Sequence, residues 1–207
     1  VVTRLPDRVN TWGLFLDEIE VYDLSLGGDD VWLFLGDSIT AAVFDRAEPR
    51  RPSFADAVAR RHPGYRPAMI DAGLARATAG VLLGRIDELL ALAPDARVVA
   101  IGIGSNDGDL EAFRRDLAAL VDRGRRSGRI PVVARIPWRA GDATGWTAQK
   151  NEALGAVGRQ AGLLPGPDLF PWFEAHPGRL ADGLHPDDEG AVAASRLWAE
   201  AVAPLYP

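Results

Sequence analysis

Four short stretches of this sequence carry residue types that can act on an acyl group. They are Gly36-Asp37-Ser38-Ile39-Thr40, Gly73, Gly104-Ser105-Asn106-Asp107 and Asp182-Gly183-Leu184-His185-Pro186. A serine hydroxyl becomes a nucleophile only when a base takes its proton and donors hold the oxyanion created by its attack. Ser38 offers the hydroxyl, and its own N–H is free to donate if it opens a helix. Asp182 and His185 lie three residues apart, so one loop can present both, with Asp182 fixing one imidazole nitrogen while the other faces Ser38. Asn106 has a side-chain amide to donate, and a glycine at 73 lets a backbone N–H approach a ligand closely. Each stretch alone has a plainer explanation. Ser38 would pass for a helix N-cap, Asp182 for a turn cap and Gly104 to Asp107 for an ordinary turn.

These residues need elements that bring them together. From residue 31 onward, short apolar runs alternate with amphipathic stretches, the pattern of repeated βα units in a parallel sheet. The runs are Val31 to Leu35, Ala68 to Ala72, Val98 to Ile103, Pro131 to Ile136 and a weaker one near Leu163 to Leu164. Ser38, Gly73 and Asn106 each follow such a run, at the carboxyl end of a strand, where open α/β sheets bind their ligands. Leu110, Phe113, Leu117, Leu120 and Val121 recur at helical spacing after the cap candidate Asp109, and Ala191 to Val202 forms a last helix. That helix is expected to start with Pro186 at its first position and Asp187, Asp188 and Glu189 in its first turn. The expected fold is a three-layer α/β/α sandwich, flavodoxin-like, on a five-stranded parallel sheet with right-handed crossovers.

Residues 1–28 read as an N-terminal β-arm and linker, ahead of a catalytic domain over residues 29–207. Asp17 to Asp23 alternates as a strand does, and Ser25-Leu26-Gly27-Gly28-Asp29-Asp30 reads as a linker. The wording around Glu18 to Tyr22 resembles the closing strand of galactose-binding-like β-sandwich modules. An extra strand laid against the main domain is the plainer expectation.

Composition narrows the classes. The chain has 207 residues, 47% of them hydrophobic and 25% charged, enough for one main domain with a substantial core. A net charge of -6 argues against nucleic acid as the partner. The absence of cysteine excludes disulfides, thiolate nucleophiles and cysteine-bound metals. No set of His, Asp and Glu has convincing metal-ligand spacing, so no metal and no cofactor is expected. His62 and His176 each precede a proline and read as loop or helix-end residues. No apolar run reaches the roughly 20 residues that a membrane helix needs. The chain begins Val1-Val2, without a secretory leader, and is expected to be a processed product or a piece of a longer chain. Lys150 is the only lysine, and the arginine excess reads as codon bias.

In order and spacing, the four stretches resemble the blocks of the SGNH hydrolases, the GDSL-type esterase superfamily, over residues 31–203. The resemblance implies a carboxylic ester hydrolase working through an acyl-serine, with Ser38 as nucleophile, His185 as base and Asp182 as the acid that orients it. It implies that the oxyanion hole is made by the Ser38 and Gly73 N–H groups and the Asn106 amide. Members commonly carry Asn where this chain has Asp71, and often a second Gly where it has Arg76. Arg76 either lines the cleft and meets a polar or anionic substrate, or faces solvent at a helix entry.

The substrate has to be read from the surrounding loops, because a triad selects neither acyl group nor alcohol. No apolar lid or long greasy insertion is evident, which favours small acyl groups. The loop from Trp138 to Trp146 offers indoles and polar groups suited to a sugar face. The leading expectation is an acetyl ester of a carbohydrate, as in acetylxylan esterases. The alternatives are a general short-chain or lysophospholipase-like esterase, a sugar acyltransferase and a noncatalytic carbohydrate-binding protein. Secretion would suit a polysaccharide enzyme; compartment and oligomeric state are otherwise open.

Overall fold

The apolar run before Ser38 forms strand β1 (Val31–Gly36), with Leu33 and Leu35 in one core layer and Trp32 and Phe34 in the other. This two-sided burial is what a near-continuous apolar run means in a parallel sheet covered on both faces. The computed structural model describes residues 30–44 and 51–206. The expected β-arm and linker at residues 1–28 lie outside the described residues.

Strands β2 (Ala68–Gly73), β3 (Ala96–Gly102), β4 (Ile130–Arg135) and β5 (Pro165–Asp168) join β1 in one parallel sheet of order β2-β1-β3-β4-β5. The order reverses at β1, which opens a crevice at the carboxyl ends of β1 and β3. Helices α1 (Ser38–Phe44), α2 (Phe54–Arg61), α7 (Phe170–Ala175) and α8 (Asp188–Ala201) contribute Phe44, Phe54, Phe173 and Trp198 to one face. Helices α3 (Ala79–Gly84), α4 (Ile86–Leu92), α5 (Leu110–Arg126) and α6 (Trp146–Gln160) contribute Leu82, Leu89, Phe113 and Leu154 to the other. The fold is therefore the expected three-layer flavodoxin-like sandwich.

The α1–α8 face is aromatic. Phe34 packs edge-on to Trp198 at 5.6 Å and against Phe44 at 3.9 Å, while Trp32 meets Phe54 at 4.9 Å. Burying each such side chain contributes about 1.5–3 kcal/mol, so the strand leading into Ser38 is among the most firmly held segments.

Three expected boundaries shift for physical reasons. The weak run at Leu163 and Leu164 closes α6 instead, with Leu163 N–H donating to Gly158 O, and β5 begins at Pro165. An edge strand paired only with β4 tolerates the two prolines that hid it. Helix α5 starts at its expected cap, Asp109, but runs on to Arg126 with arginines in its last turn, where cations suit a helix end. Helix α8 is capped by Asp187, whose carboxylate accepts Gly190 N–H at 2.7 Å, so Pro186 precedes the cap rather than opening the helix. Pro186 pairs instead with Leu180 in an isolated antiparallel bridge.

Candidate active site

The turn from β1 into α1 is set by two small or buried groups. A Cβ on Gly36 would overlap Thr40 Oγ1 and Gly102 O, so only glycine lets β1 turn this tightly between α1 and β3. Asp37 is 1% exposed, and its Oδ1 accepts Ile39 N–H at 2.9 Å. Burial pushes its pKa up, against the opposing hydrogen bonds of Ile39 and Ser105. Thr40 Oγ1 donates to Gly102 O at 3.1 Å, tying α1 to β3. Ser38 is thereby held half-buried at the first position of α1, its N–H unpaired among the described residues.

His185 reaches this serine from 147 residues away: Ser38 Oγ lies 2.8 Å from Nε2. On the other side of the ring, Nδ1 lies 2.7 Å from Asp182 Oδ2. A carboxylate can only accept, so the proton sits on Nδ1 and Nε2 is left to accept from Ser38. Asp182 Oδ1 also accepts Leu184 N–H at 3.0 Å and His185 N–H at 2.8 Å. Those hydrogen bonds, that of the His185 backbone foremost, hold the Asp182 carboxyl far below the usual carboxylate range. The loop is tied down by Ala181 N–H to His185 O and Ala140 N–H to Gly183 O, both at 2.8 Å.

The expected oxyanion donors fare differently. Asn106 is exposed, and its amide Nδ2 donates to Ala77 O at 3.0 Å, which anchors the group and leaves its second N–H for a ligand. Gly73 N–H is already engaged, donating to Asp71 Oδ1 at 2.8 Å. A Cβ at 73 would come within 2.5 Å of Ala41 N, so the close approach of α1 accounts for this glycine. Three residues on, Arg76 is the only described non-glycine residue with positive φ, at 63°, and its N–H carries no hydrogen bond among the described residues. Its side chain is exposed, without a hydrogen bond or ion pair among the described residues.

Both tryptophans of the 138–146 loop are half-buried beside this arrangement. Trp138 packs on the aromatic core face, two residues before the Ala140 that bonds Gly183. Trp146 Nε1 donates to Asp107 O at 3.1 Å, so its indole borders the Asn106 loop. Trp172 instead stacks on His176 at 4.3 Å, and His62 and His176 are helix C-caps.

Sequence reading missed Asp142 and Lys150. Asp142 caps α6, accepting Trp146 N–H at 3.0 Å and Thr147 N–H at 2.7 Å. Although burial opposes it, hydrogen bonds led by Thr147 hold its pKa down to about 2. Lys150, 3% exposed, donates to Gly104 O at 2.6 Å; a lone lysine one turn after a tryptophan was the available signal. A cavity of about 760 Å³ lies between α6 and strands β4 and β5, and its lining includes none of Ser38, Asn106, Asp182 and His185. No group of three His, Asp or Glu side chains that could hold a metal occurs among the described residues, and no described helix is long and apolar enough to cross a membrane.

A parallel sheet with a serine, histidine and aspartate aligned over its switch point is an ester-hydrolase arrangement. The chain belongs to the GDSL-like Lipase/Acylhydrolase family, whose family model matches residues 34–193. Its fold is similar to that of a lipase/acylhydrolase from Enterococcus faecalis, at 21% identity and TM-score 0.70 over 86% of this chain and 97% of that one. It is similar as well to a variant of an acetyl xylan esterase from Geobacillus stearothermophilus, at 18% identity and TM-score 0.69 over 84% of this chain and 94% of that one. No curated protein sequence matches the chain.

Proposed function

We propose that Ser38 is the nucleophile of an esterase that removes short acyl groups, acetyl foremost, from a carbohydrate. The observation that carries the mechanism is the continuous relay from Ser38 Oγ through His185 to Asp182. His185 Nε2 takes the hydroxyl proton as Oγ attacks the ester carbonyl, and the tetrahedral oxyanion forms. The protonated imidazole then gives that proton to the departing alcohol, which leaves an acyl-serine. Water attacks the acyl-serine with His185 again as base, releasing the acid and restoring Ser38. Asp182, ionised throughout, stabilises the imidazolium between these steps.

Ser38 N–H and the open Asn106 N–H are the oxyanion donors best placed to act. Gly73, the third of the expected set, can join only if Asp71 releases its N–H. The Ala75 and Arg76 N–H groups lie on the same turn without hydrogen bonds among the described residues. The sugar assignment is supported by Trp138 and Trp146 flanking the His185 and Asn106 loops, since indole faces stack on sugar rings. Arg76 would then meet polar groups of the alcohol. The similarity to an acetyl xylan esterase supports the fold of this reading and is compatible with its substrate.

The test is acetate release from acetylated xylan alongside p-nitrophenyl esters of rising chain length. Acetyl should be the preferred acyl group and acetylated xylan should be turned over. A preference for octanoyl over acetyl overturns the sugar-ester assignment, and diversion of acyl groups to added sugar acceptors would make the enzyme a transferase.

A further inference from the structure

Lys150 is the chain's single lysine, and it lies buried in the layer beneath the Asn106 loop. Its ammonium donates to Gly104 O at 2.6 Å, gripping the first residue of that loop. One turn earlier on α6, Trp146 Nε1 grips the last residue, donating to Asp107 O at 3.1 Å. The Trp146 ring in turn covers the ammonium, with Nζ 5.5 Å from its centroid. Gly104 itself sits at φ 130°, a conformation open to glycine, and a Cβ there would press on Ile136 and Phe113. Asn106 therefore rides on a loop clamped at both ends by one helical turn.

Charge points the same way. Burial pulls the Lys150 pKa down, Asp107 opposes this, and Asp142 and Asp37 add to its effect against that of Arg139. The Asp107 carboxylate, 8% exposed, also accepts Ala79 N–H at 3.1 Å at the start of α3. An apolar side chain of similar volume would fill this space at lower desolvation cost, so packing alone does not account for an ammonium here.

We propose that Lys150 is a positioning residue for the oxyanion hole: it holds Gly104 C=O, and through the loop sets the Asn106 amide where the oxyanion forms. The proposal rests on the reading of Ser38 as nucleophile and Asn106 as donor. Its action is indirect, through placement of a donor that must be held to about half an ångström.

A single lysine gives a direct probe, because protein labelled with ¹⁵N-lysine has one side-chain Nζ signal. Diethyl p-nitrophenyl phosphate should phosphorylate Ser38: Oγ attacks phosphorus, p-nitrophenolate leaves, His185 takes the hydroxyl proton, and a phosphoryl oxygen occupies the oxyanion position. The Nζ signal should be protected from exchange in the free enzyme and shift on phosphorylation. That shift should vanish in phosphorylated Asn106→Ala protein. A signal that exchanges as an exposed amine does, or one unmoved by phosphorylation, overturns the proposal. Failure to phosphorylate, seen as an unchanged mass, overturns the reading of Ser38 instead.

Kinetics supply a second readout on p-nitrophenyl acetate. Lys150→Gln and Lys150→Met should lower kcat by about 10- to 100-fold with KM within about threefold. In an Asn106→Ala background the same substitutions should cost less than about threefold, because residues acting through one another are not additive. Equal costs in both backgrounds overturn the proposal. A wild-type kcat for Asn106→Ala alone overturns the oxyanion reading and leaves Lys150 a structural residue.

Discussion

The two halves of the relay are built by opposite means. Ser38 stands at the end of a strand with Trp32, Leu33, Phe34 and Leu35 at 0–1% exposure, on a turn so tight that Gly36 has no room for a side chain. His185 stands on a loop whose Asp182 side chain is 59% exposed, and it is aimed by hydrogen bonds that the loop makes mostly with itself. Packing fixes the proposed nucleophile; local polar contacts fix the proposed base. In the proposed mechanism the packed side carries the atom that meets the substrate carbonyl, and the exposed side carries the group that exchanges protons with alcohol and water.

If that contrast holds, damage to the two sides should separate into different observables. The largest effect is on chemistry alone: Ser38→Ala should lower kcat by about 10⁴- to 10⁶-fold while leaving the thermal midpoint nearly unchanged. Near-normal hydrolysis by this protein would sink the mechanism. Asp182→Asn should cost about 10²- to 10³-fold in kcat, less than for a buried acid, because water can partly replace an exposed carboxylate. A loss as large as that of Ser38→Ala would mean that the exposed loop is as exacting as the buried turn.

Gly36→Ala sharpens the contrast from the packed side. The added methyl has to displace Thr40 or the Gly102 carbonyl, which should destabilise the fold by about 1–3 kcal/mol or more, readable as a lower denaturant midpoint. The equivalent change at Gly178, where nothing lies within 4 Å, should have little effect. Comparable losses at both positions would remove the argument for a sterically enforced turn.

The smallest effect is acid sensitivity in the loop of polar contacts. Asp142 has a folded pKa of about 2, below the ordinary 3.8, so its contribution is complete above about pH 4 and is lost as pH falls through 2. Trp146 fluorescence should report loosening of the α6 start over that range, and Asp142→Asn should abolish this phase. An unchanged acid transition in that variant would show that Asp142 is not the group responsible.

Much of this arrangement was legible in sequence because it was written in local signals. The run Val31 to Leu35 had to be a doubly covered strand, and Asp109 before a helical periodicity had to be a cap. Asp182 and His185 could be paired because three residues in a loop keep them within reach of each other. Gly73 reads in sequence as an approach to a ligand, and its tight contact with Ala41 left no local signal because the partner lies in another element. β5 was displaced because an edge strand needs little apolar character. Lys150 escaped because its contact with Gly104 O joins α6 to the loop after β3, and no periodicity marks a buried cation.

The sequence by itself determined the reaction class, because its four blocks, with Ser38, Asp182 and His185 among them, resemble those of the GDSL-type esterases in order and spacing. Tertiary structure alone decided that Ser38 Oγ lies 2.8 Å from an imidazole 147 residues away and that Asp71 occupies the Gly73 N–H. It alone put a lysine under the Asn106 loop. Residue types and short spacings are properties of neighbouring peptide units. Distances across the sheet follow from strand order and helix packing, which the whole chain must fold to fix.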